Sequence, residues 1–223
     1  MAFDFIHHDK IRGVRIEHPF PLYNREMKLT GYDSSTVNIY YYKDLVAYAI
    51  PAFHNIADLS AGYTLRYLVA HKDSSYGYYY TSAGKRRVLM DKVLSNDTWI
   101  KKIYGYEAFT DNIVKPVSSH YDSATGTLTE VVKLYAKKDT SMQADAWYIY
   151  SDKVLKDIGY SLSHQLDSIK KMKLVEIKIL HPDTYLKDYQ LTMDAFEQRY
   201  TLTEFPVKDE KVMEYFEKYS REH

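Results

Sequence analysis

The chain contains no cysteine. That excludes disulfides, a thiolate nucleophile and any zinc or iron–sulfur site built on cysteine. It carries no net charge, because 30 Lys plus Arg balance 30 Asp plus Glu. A general nucleic-acid binder needs a basic footprint, so nucleic acid is not an expected partner. No stretch approaches the roughly 18 consecutive apolar residues of a transmembrane helix. Met1–Lys10 lacks the apolar run of a signal peptide. Two readings of compartment follow: a cytosolic protein, or an exported one whose signal has been removed. The missing cysteine favours the exported reading, periplasmic or secreted. Neither G-x-x-x-x-G-K-[ST] nor G-x-G-x-x-G occurs, which excludes nucleotide cradles of those kinds. There is no G-x-S-x-G elbow and no H-E-x-x-H pair. No cofactor and no metal are expected.

What the chain has is tyrosine. There are 24 among 223 residues, and aromatics reach 15%. With 45% hydrophobic residues the chain is too apolar to be disordered. The tyrosines are not spread evenly. Ten lie between positions 40 and 80: Tyr40, Tyr41, Tyr42, Tyr48, Tyr63, Tyr67, Tyr76, Tyr78, Tyr79 and Tyr80.

Those tyrosines sit in strand-like runs. Thr36–Tyr42 and Leu45–Ile50 flank Lys43-Asp44 and read as a hairpin, with Pro51 ending its second strand. Tyr63–Ala70 alternates, His71–Ser75 is a polar turn, and Tyr76–Thr81 returns. Arg87–Leu94 is a further strand or a short helix. Leu128–Lys137 follows the loop Ser123–Gly126, and Ala144–Tyr150 follows in turn. Leu174–Leu180 is the cleanest strand, with Val175, Ile177 and Ile179 expected inward and Glu176 and Lys178 outward. Tyr185–Met193 and Phe196–Phe205 read as a closing pair. Two helices are expected. Ser161–Lys171 presents Leu162, Leu166 and Ile169. Asp209–Arg221 presents Val212, Phe216 and Tyr219. Residues 1–35 show no sustained periodicity and read as an N-terminal arm with at most one short strand, before a single β-rich domain over 36–223 whose helix spans about 208–221. The fold class is α+β, predominantly antiparallel: a curved sheet, half-barrel or sandwich with one or two peripheral helices.

Few residues suggest chemistry. His54 with Asp58, and His71 with Asp73, have spacings a metal site uses, but surface or hydrogen-bonded histidines explain them as well. Ser163-His164-Asp167 and Ser118-Ser119-His120-Asp122 hold the letters of a catalytic triad, yet triads are assembled from distant segments. Lys85-Arg86-Arg87 is a small basic cluster, and Asn96-Asp97-Thr98 matches a glycosylation sequon. Consecutive tyrosines on a strand must face opposite sides of a sheet. One sheet face is therefore core, and the other offers rings for stacking and hydroxyls for hydrogen bonds. Tyr40, Tyr42, Tyr48, Tyr67, Tyr76, Tyr78, Tyr79 and Tyr80 are the candidate ligand-binding residues, set against the plainer reading of cross-strand aromatic pairing.

Three segments carry a family resemblance. Val37–Tyr42 with Lys43 and Leu45–Pro51 is similar to the opening strand–turn–strand of small exported bacterial β proteins. Ile103-Tyr104-Gly105-Tyr106-Glu107-Ala108 and Ala144-Asp145-Ala146-Trp147-Tyr148 resemble two steps of the GLPGLI-type family of Bacteroidota. The naming motif is absent: the corresponding stretch reads Leu166–Met172. The resemblance implies an exported, largely antiparallel protein similar in architecture to half-barrel lipoprotein carriers, with a sheet curved around a hydrophobic cleft.

The functional expectation is a non-enzymatic envelope or secreted binding protein whose tyrosine-rich face or cleft holds an amphipathic ligand, whether lipid, glycan or protein partner. The alternatives are a hydrolase using His and carboxylates gathered from separate strands, and a structural subunit that pairs through sheet edges.

Overall fold

A computed structural model describes residues 11–53, 63–81, 84–90, 109, 112–138, 143–153, 155, 158–208 and 210–223. Thirteen strands and two helices are found among them: β1 (Arg12–Tyr23), β2 (Leu29–Tyr42), β3 (Leu45–Phe53), β4 (Tyr63–His71), β5 (Tyr76–Thr81), β6 (Gly84–Leu89), β7 (Asn112–Asp122), β8 (Thr127–Ala136), β9 (Gln143–Ser151), α1 (His164–Lys170), β10 (Lys173–His181), β11 (Thr184–Leu186), β12 (Leu191–Met193), β13 (Phe196–Phe205) and α2 (Glu210–Glu222). Strand pairing with assigned register is antiparallel throughout, so the fold is α+β and predominantly antiparallel, with a C-terminal helix. No described helix is long and apolar enough to cross a membrane.

The chain divides into two compact units. The first holds Met1–Arg15, Val37–Ile100 and Glu204–His223, and the second holds Ile16–Thr36 and Lys101–Thr203.

In the first unit, strand order is β6-β5-β4-β3-β2, a meander in which each strand pairs with its sequence neighbour. The β2–β3 hairpin closes between Tyr42 and Leu45 with only Lys43 and Asp44 in the turn. Two-residue hairpins need a positive φ at a central position, and Lys43 supplies it at φ 53°. Pro51 does not end β3. It stays in the ladder opposite Leu65, and the strand runs on to Phe53. β6 starts at Gly84, earlier than the expected Arg87, and ends at Leu89, and residues 91–94 of the expected element lie outside the described residues.

Register sorts the tyrosines. Tyr40, Ala47, Val69, Tyr78 and Arg87 form one cross-strand row, and Asn38, Ala49, Tyr67, Tyr80 and Lys85 form the next. Large rings on β2, β4 and β5 thus flank two alanines on β3. Helix α2 packs on β3 and β4, and its Val212, Phe216 and Tyr219 join Tyr40, Ala47, Ala49, Tyr67, Val69 and Tyr80 in one buried cluster. Small residues under the helix let its rings reach the sheet at close-packed density. Burying side chains of this size stabilises by about 1.5–3 kcal/mol each.

The reverse face of the same meander is also buried. It carries Ile39, Val46, Tyr48, Ile50, Leu68 and Tyr79, none more than 8% exposed. Gly77, opposite Ala70, lies on this side, where a Cβ would meet Met90 Sδ at 2.7 Å and Leu68 Cδ1 at 2.9 Å.

In the second unit the order is β13-β10-β9-β8-β7. Here the faces differ. Leu134, Ala146, Tyr148, Ile177 and Ile179 are buried on one side. The other side pairs charges across strands: Lys178–Glu197 at 2.9 Å, Arg199–Glu176 at 2.8 Å and Lys133–Asp145 at 2.8 Å, with Lys178 also 5.5 Å above the Trp147 ring. That alternation is the signature of an antiparallel sheet with one solvated face.

Three expectations about this unit need correction. A register shift between Leu174 and Glu176 turns Leu174 inward, fully buried, and leaves Val175 only half-buried. A bulge re-aims side chains in this way. Ile169 is 58% exposed, because the helix begins at His164 rather than Ser161, so Leu162 precedes it and Leu166 is its one buried residue. The stretch Tyr185–Met193 is a small hairpin of β11 and β12, not a long strand. The region expected to be an irregular arm also holds more strand than one short piece: β1 spans Arg12–Tyr23, and β2 starts at Leu29.

Candidate functional site

The eight candidate tyrosines fall on two faces. Tyr40, Tyr42, Tyr67, Tyr76, Tyr78 and Tyr80 share the side that α2 covers, while Tyr48 and Tyr79 lie on the reverse. Tyr40, Tyr48, Tyr67, Tyr79 and Tyr80 are buried, Tyr42 and Tyr78 are half-buried, and Tyr76 is 38% exposed. Tyr41 is half-buried, and the side chain of Tyr63 lies outside the described residues. The rings do pack pairwise: Tyr67 on Tyr215 at 4.7 Å, Tyr42 on Phe216 at 5.7 Å, and Tyr78 on His223 at 4.2 Å. Most of the tyrosine face is therefore filled, and its accessible parts are its ends.

At one end, Tyr80 meets the C-terminal turn of α2. Its hydroxyl donates to Glu222 Oε2 at 3.2 Å, and Lys85 Nζ reaches the same oxygen at 2.9 Å. Burial first, and then the Glu222 carboxylate, push the Tyr80 phenol above its ordinary range. The Lys85 ammonium, with the Tyr80 hydroxyl, holds the Glu222 carboxyl below its own. The basic cluster is thus used inside the unit. Lys85 pairs with Glu222, Arg86 lies 5.4 Å over Tyr79, and Arg87 lies 3.7 Å over Tyr76.

At the other end is a cavity of about 740 Å³. The β2–β3 turn supplies Tyr42, Lys43, Asp44 and Leu45, β4 supplies His71, and the last two turns of α2 supply Glu217, Tyr219, Ser220, Arg221 and His223. Tyr42, Leu45 and Tyr219 are its apolar walls, and the charges stand at its rim. Asp44 is already held by Lys72 at 2.6 Å, which lowers its carboxyl. His71 Nδ1 accepts the Asp73 amide at 3.2 Å and lies 4.0 Å from the Asp73 carboxylate. Lys43 sits 5.3 Å from the Tyr42 ring. A volume in the few-hundred to thousand Å³ range with apolar walls and a few polar groups is what small-molecule sites have.

The second unit has a cavity of its own, of about 500 Å³, lined among others by Leu134, Ala144, Ile179, His181, Tyr185 and Gln198. His181 stacks on Phe196 at 4.3 Å, and its Nε2 lies 3.0 Å from Gln198 Oε1. Gln198 Nε2 donates to the Tyr200 hydroxyl at 2.5 Å. Burial pushes the His181 imidazole below its ordinary value against the opposing Gln198 bond, and burial raises the Tyr200 phenol. In the hydrolase alternative, His181 is one of five histidines, with His54, His71, His120 and His164, that could converge with a carboxylate in a cleft. The usable signal was period two: Gln198 and Tyr200 share a face of β13 and are polar where a core strand would be apolar.

Three of the triad-like candidates, Ser163, Asp167 and Asp122, make local structural bonds. Ser163 caps α1, accepting the Leu166 amide at 3.4 Å. Asp167 accepts the Leu174 amide at 2.7 Å and pairs with Lys173 at 3.2 Å. Asp122 accepts from Ala124 N and Thr125 Oγ1 in the β7–β8 turn. Among the described residues no three His, Asp or Glu side chains converge as a metal site. His54, Asp58, Asn96 and the resemblance segment 103–108 lie outside the described residues.

No family model matches the chain, and no curated protein matches it. Among solved structures it is similar to a LolA superfamily protein from Nitrosomonas europaea, at 7% identity over 90% of this chain and 87% of that one, with a TM-score of 0.28, a score too low to argue from.

Proposed function

We propose that the chain is a non-enzymatic binding protein for an amphipathic ligand, held in the cavity between the β2–β3 turn and the end of α2. The observation that carries this reading is the cavity's division of labour. Tyr42, Leu45 and Tyr219 offer apolar walls, and Lys43, Ser220 and Arg221 offer polar and cationic groups at the rim. An acyl or aromatic tail gains about 25 cal/mol per Å² of apolar surface it buries there, while its head stays in water beside the cations. Of the eight tyrosines singled out in the sequence, Tyr42 is the one that lines this cavity. The reading keeps the protein in the cell envelope or outside the cell, on the absence of cysteine.

A fluorescent fatty-acid probe tests it. The expected result is saturable binding that competes with unlabelled decanoate, weakened about tenfold or more by Leu45→Asp, which puts a charge on the apolar wall. Unchanged affinity in Leu45→Asp, or no binding by the native chain, removes the reading.

A further inference from the structure

We infer that the second unit carries a separate binding site for a saccharide, in the 500 Å³ cavity formed at the end of β8, β9, β10 and β13 beneath the β11–β12 hairpin. The inference is independent of the amphipathic site, because it uses no residue of the first unit.

The argument starts from hydrogen-bond bookkeeping. An amide oxygen only accepts, so the 3.0 Å contact makes His181 Nε2 the donor to Gln198 Oε1. A neutral imidazole that donates from Nε2 presents Nδ1 as an acceptor. Gln198 is in turn fixed by its bond to Tyr200. The acceptor is therefore held in one orientation by a chain of three side chains and by the stack on Phe196. It calls for a ligand that donates, such as a hydroxyl.

The rest of the lining says which hydroxyl ligand. Asn112, Gln143 and Thr184 add uncharged groups that both donate and accept. The two charged residues at the cavity, Asp183 and Lys187, offset each other, and Asp183 already accepts the Ala195 amide at 2.6 Å. An anion or a cation finds no matching field here. A pure hydrocarbon would leave the amides and the imidazole without a partner. Leu134, Ala144 and Ile179 nevertheless give the cavity an apolar floor, and Tyr185, on the hairpin, is 59% exposed. A sugar ring has both properties at once: hydroxyls around its edge and an apolar face to lay against a ring. Tyr185 is the side chain placed to take that face.

The test is nuclear magnetic resonance of the whole chain with ¹⁵N-labelled histidine, titrated with cellobiose, maltose and chitobiose. The expected result is a saturable shift of the His181 ring nitrogens with at least one of the three. His181→Phe, which keeps the stack on Phe196, weakens that binding at least about fivefold, read from backbone amides of β10 and β13, as loss of one hydrogen bond requires. Tyr185→Ala changes an exposed residue and leaves folding intact. It weakens binding by a similar factor and keeps the proposal open to refutation should His181→Phe fail to fold. Glu214→Gln, on the exposed side of α2 in the first unit, leaves the titration unchanged. Absence of a saturable shift with all three saccharides overturns the proposal. So does native affinity in Tyr185→Ala, or a shift of the same resonances by decanoate in place of the sugars.

Discussion

The two units use the same antiparallel ladder to opposite ends. The inner strands of the first unit's meander are buried on both faces, with tyrosines on each, and one face depends on helix α2. The second hides one face and lets the other carry cross-strand ion pairs to water. The difference shows where each unit's stability resides. In the first it lies in ring packing, where one lost side chain leaves a hole. In the second, the outer face contributes little, because exposed pairs gain modest Coulomb energy and lose side-chain entropy.

The sharpest break of this comparison is Phe216→Ala. The ring is fully buried against Tyr42 and the alanine floor of β3, so its removal should cost about 3–5 kcal/mol. Urea unfolding followed by tyrosine fluorescence measures it. A cost near zero would mean that α2 is an accessory to the sheet and not its second layer.

A smaller effect separates the units by pH. His181 is held neutral by burial in the second unit. Its folded pKa lies below the unfolded one, so the unfolded chain takes up the proton first. The contribution is whole above the ordinary imidazole value of 6.5 and is lost as pH falls through the folded value. Urea midpoints between pH 7.5 and 5, compared for the native chain and His181→Phe, should show a destabilisation on acidification that the variant loses in part. Parallel curves would detach His181 from it.

The smallest effect belongs to the outer face. Arg199→Gln removes the 2.8 Å pair with Glu176, whose side chains are 45% and 20% exposed. The expected cost is under about 1 kcal/mol. A loss as large as that of Phe216→Ala would erase the distinction between the two designs.

Much of the ladder was legible because its signals are local. Tyr76–Thr81 coincides with β5, and Lys43-Asp44 is the turn that the flanking runs demanded. β1 was hidden for a physical reason: its buried alternation is Val14, Ile16, His18, and the third member is polar. Pro19 and Pro21 further disguise it, although proline is tolerated where a strand needs no N–H. Leu174 and Val175 exchange places because a bulge shifts the count by one, which no period-two reading detects. Of the residues that line the two cavities, only Tyr42 is among the eight tyrosines singled out in the sequence. Leu45, Tyr219 and Arg221 meet it through the packing of α2 on β3 and β4, and spacing along the chain does not encode that meeting. His181, Gln198 and Tyr200 join through strand register, which one sequence leaves open.

The helix that closes the tyrosine face has one more consequence, and it concerns synthesis. The meander ends at Leu89, and α2 begins at Glu210, more than a hundred residues later. A ribosome working from the N-terminus therefore releases the whole ring-lined surface well before the segment that will cover it exists. Through that interval Tyr67, Tyr80 and the alanine floor face water or another protein, the condition under which nascent sheets stick to one another. Helix α2 decides when that exposure ends, so a ribosome stalled short of it holds a finished meander with its adhesive side open.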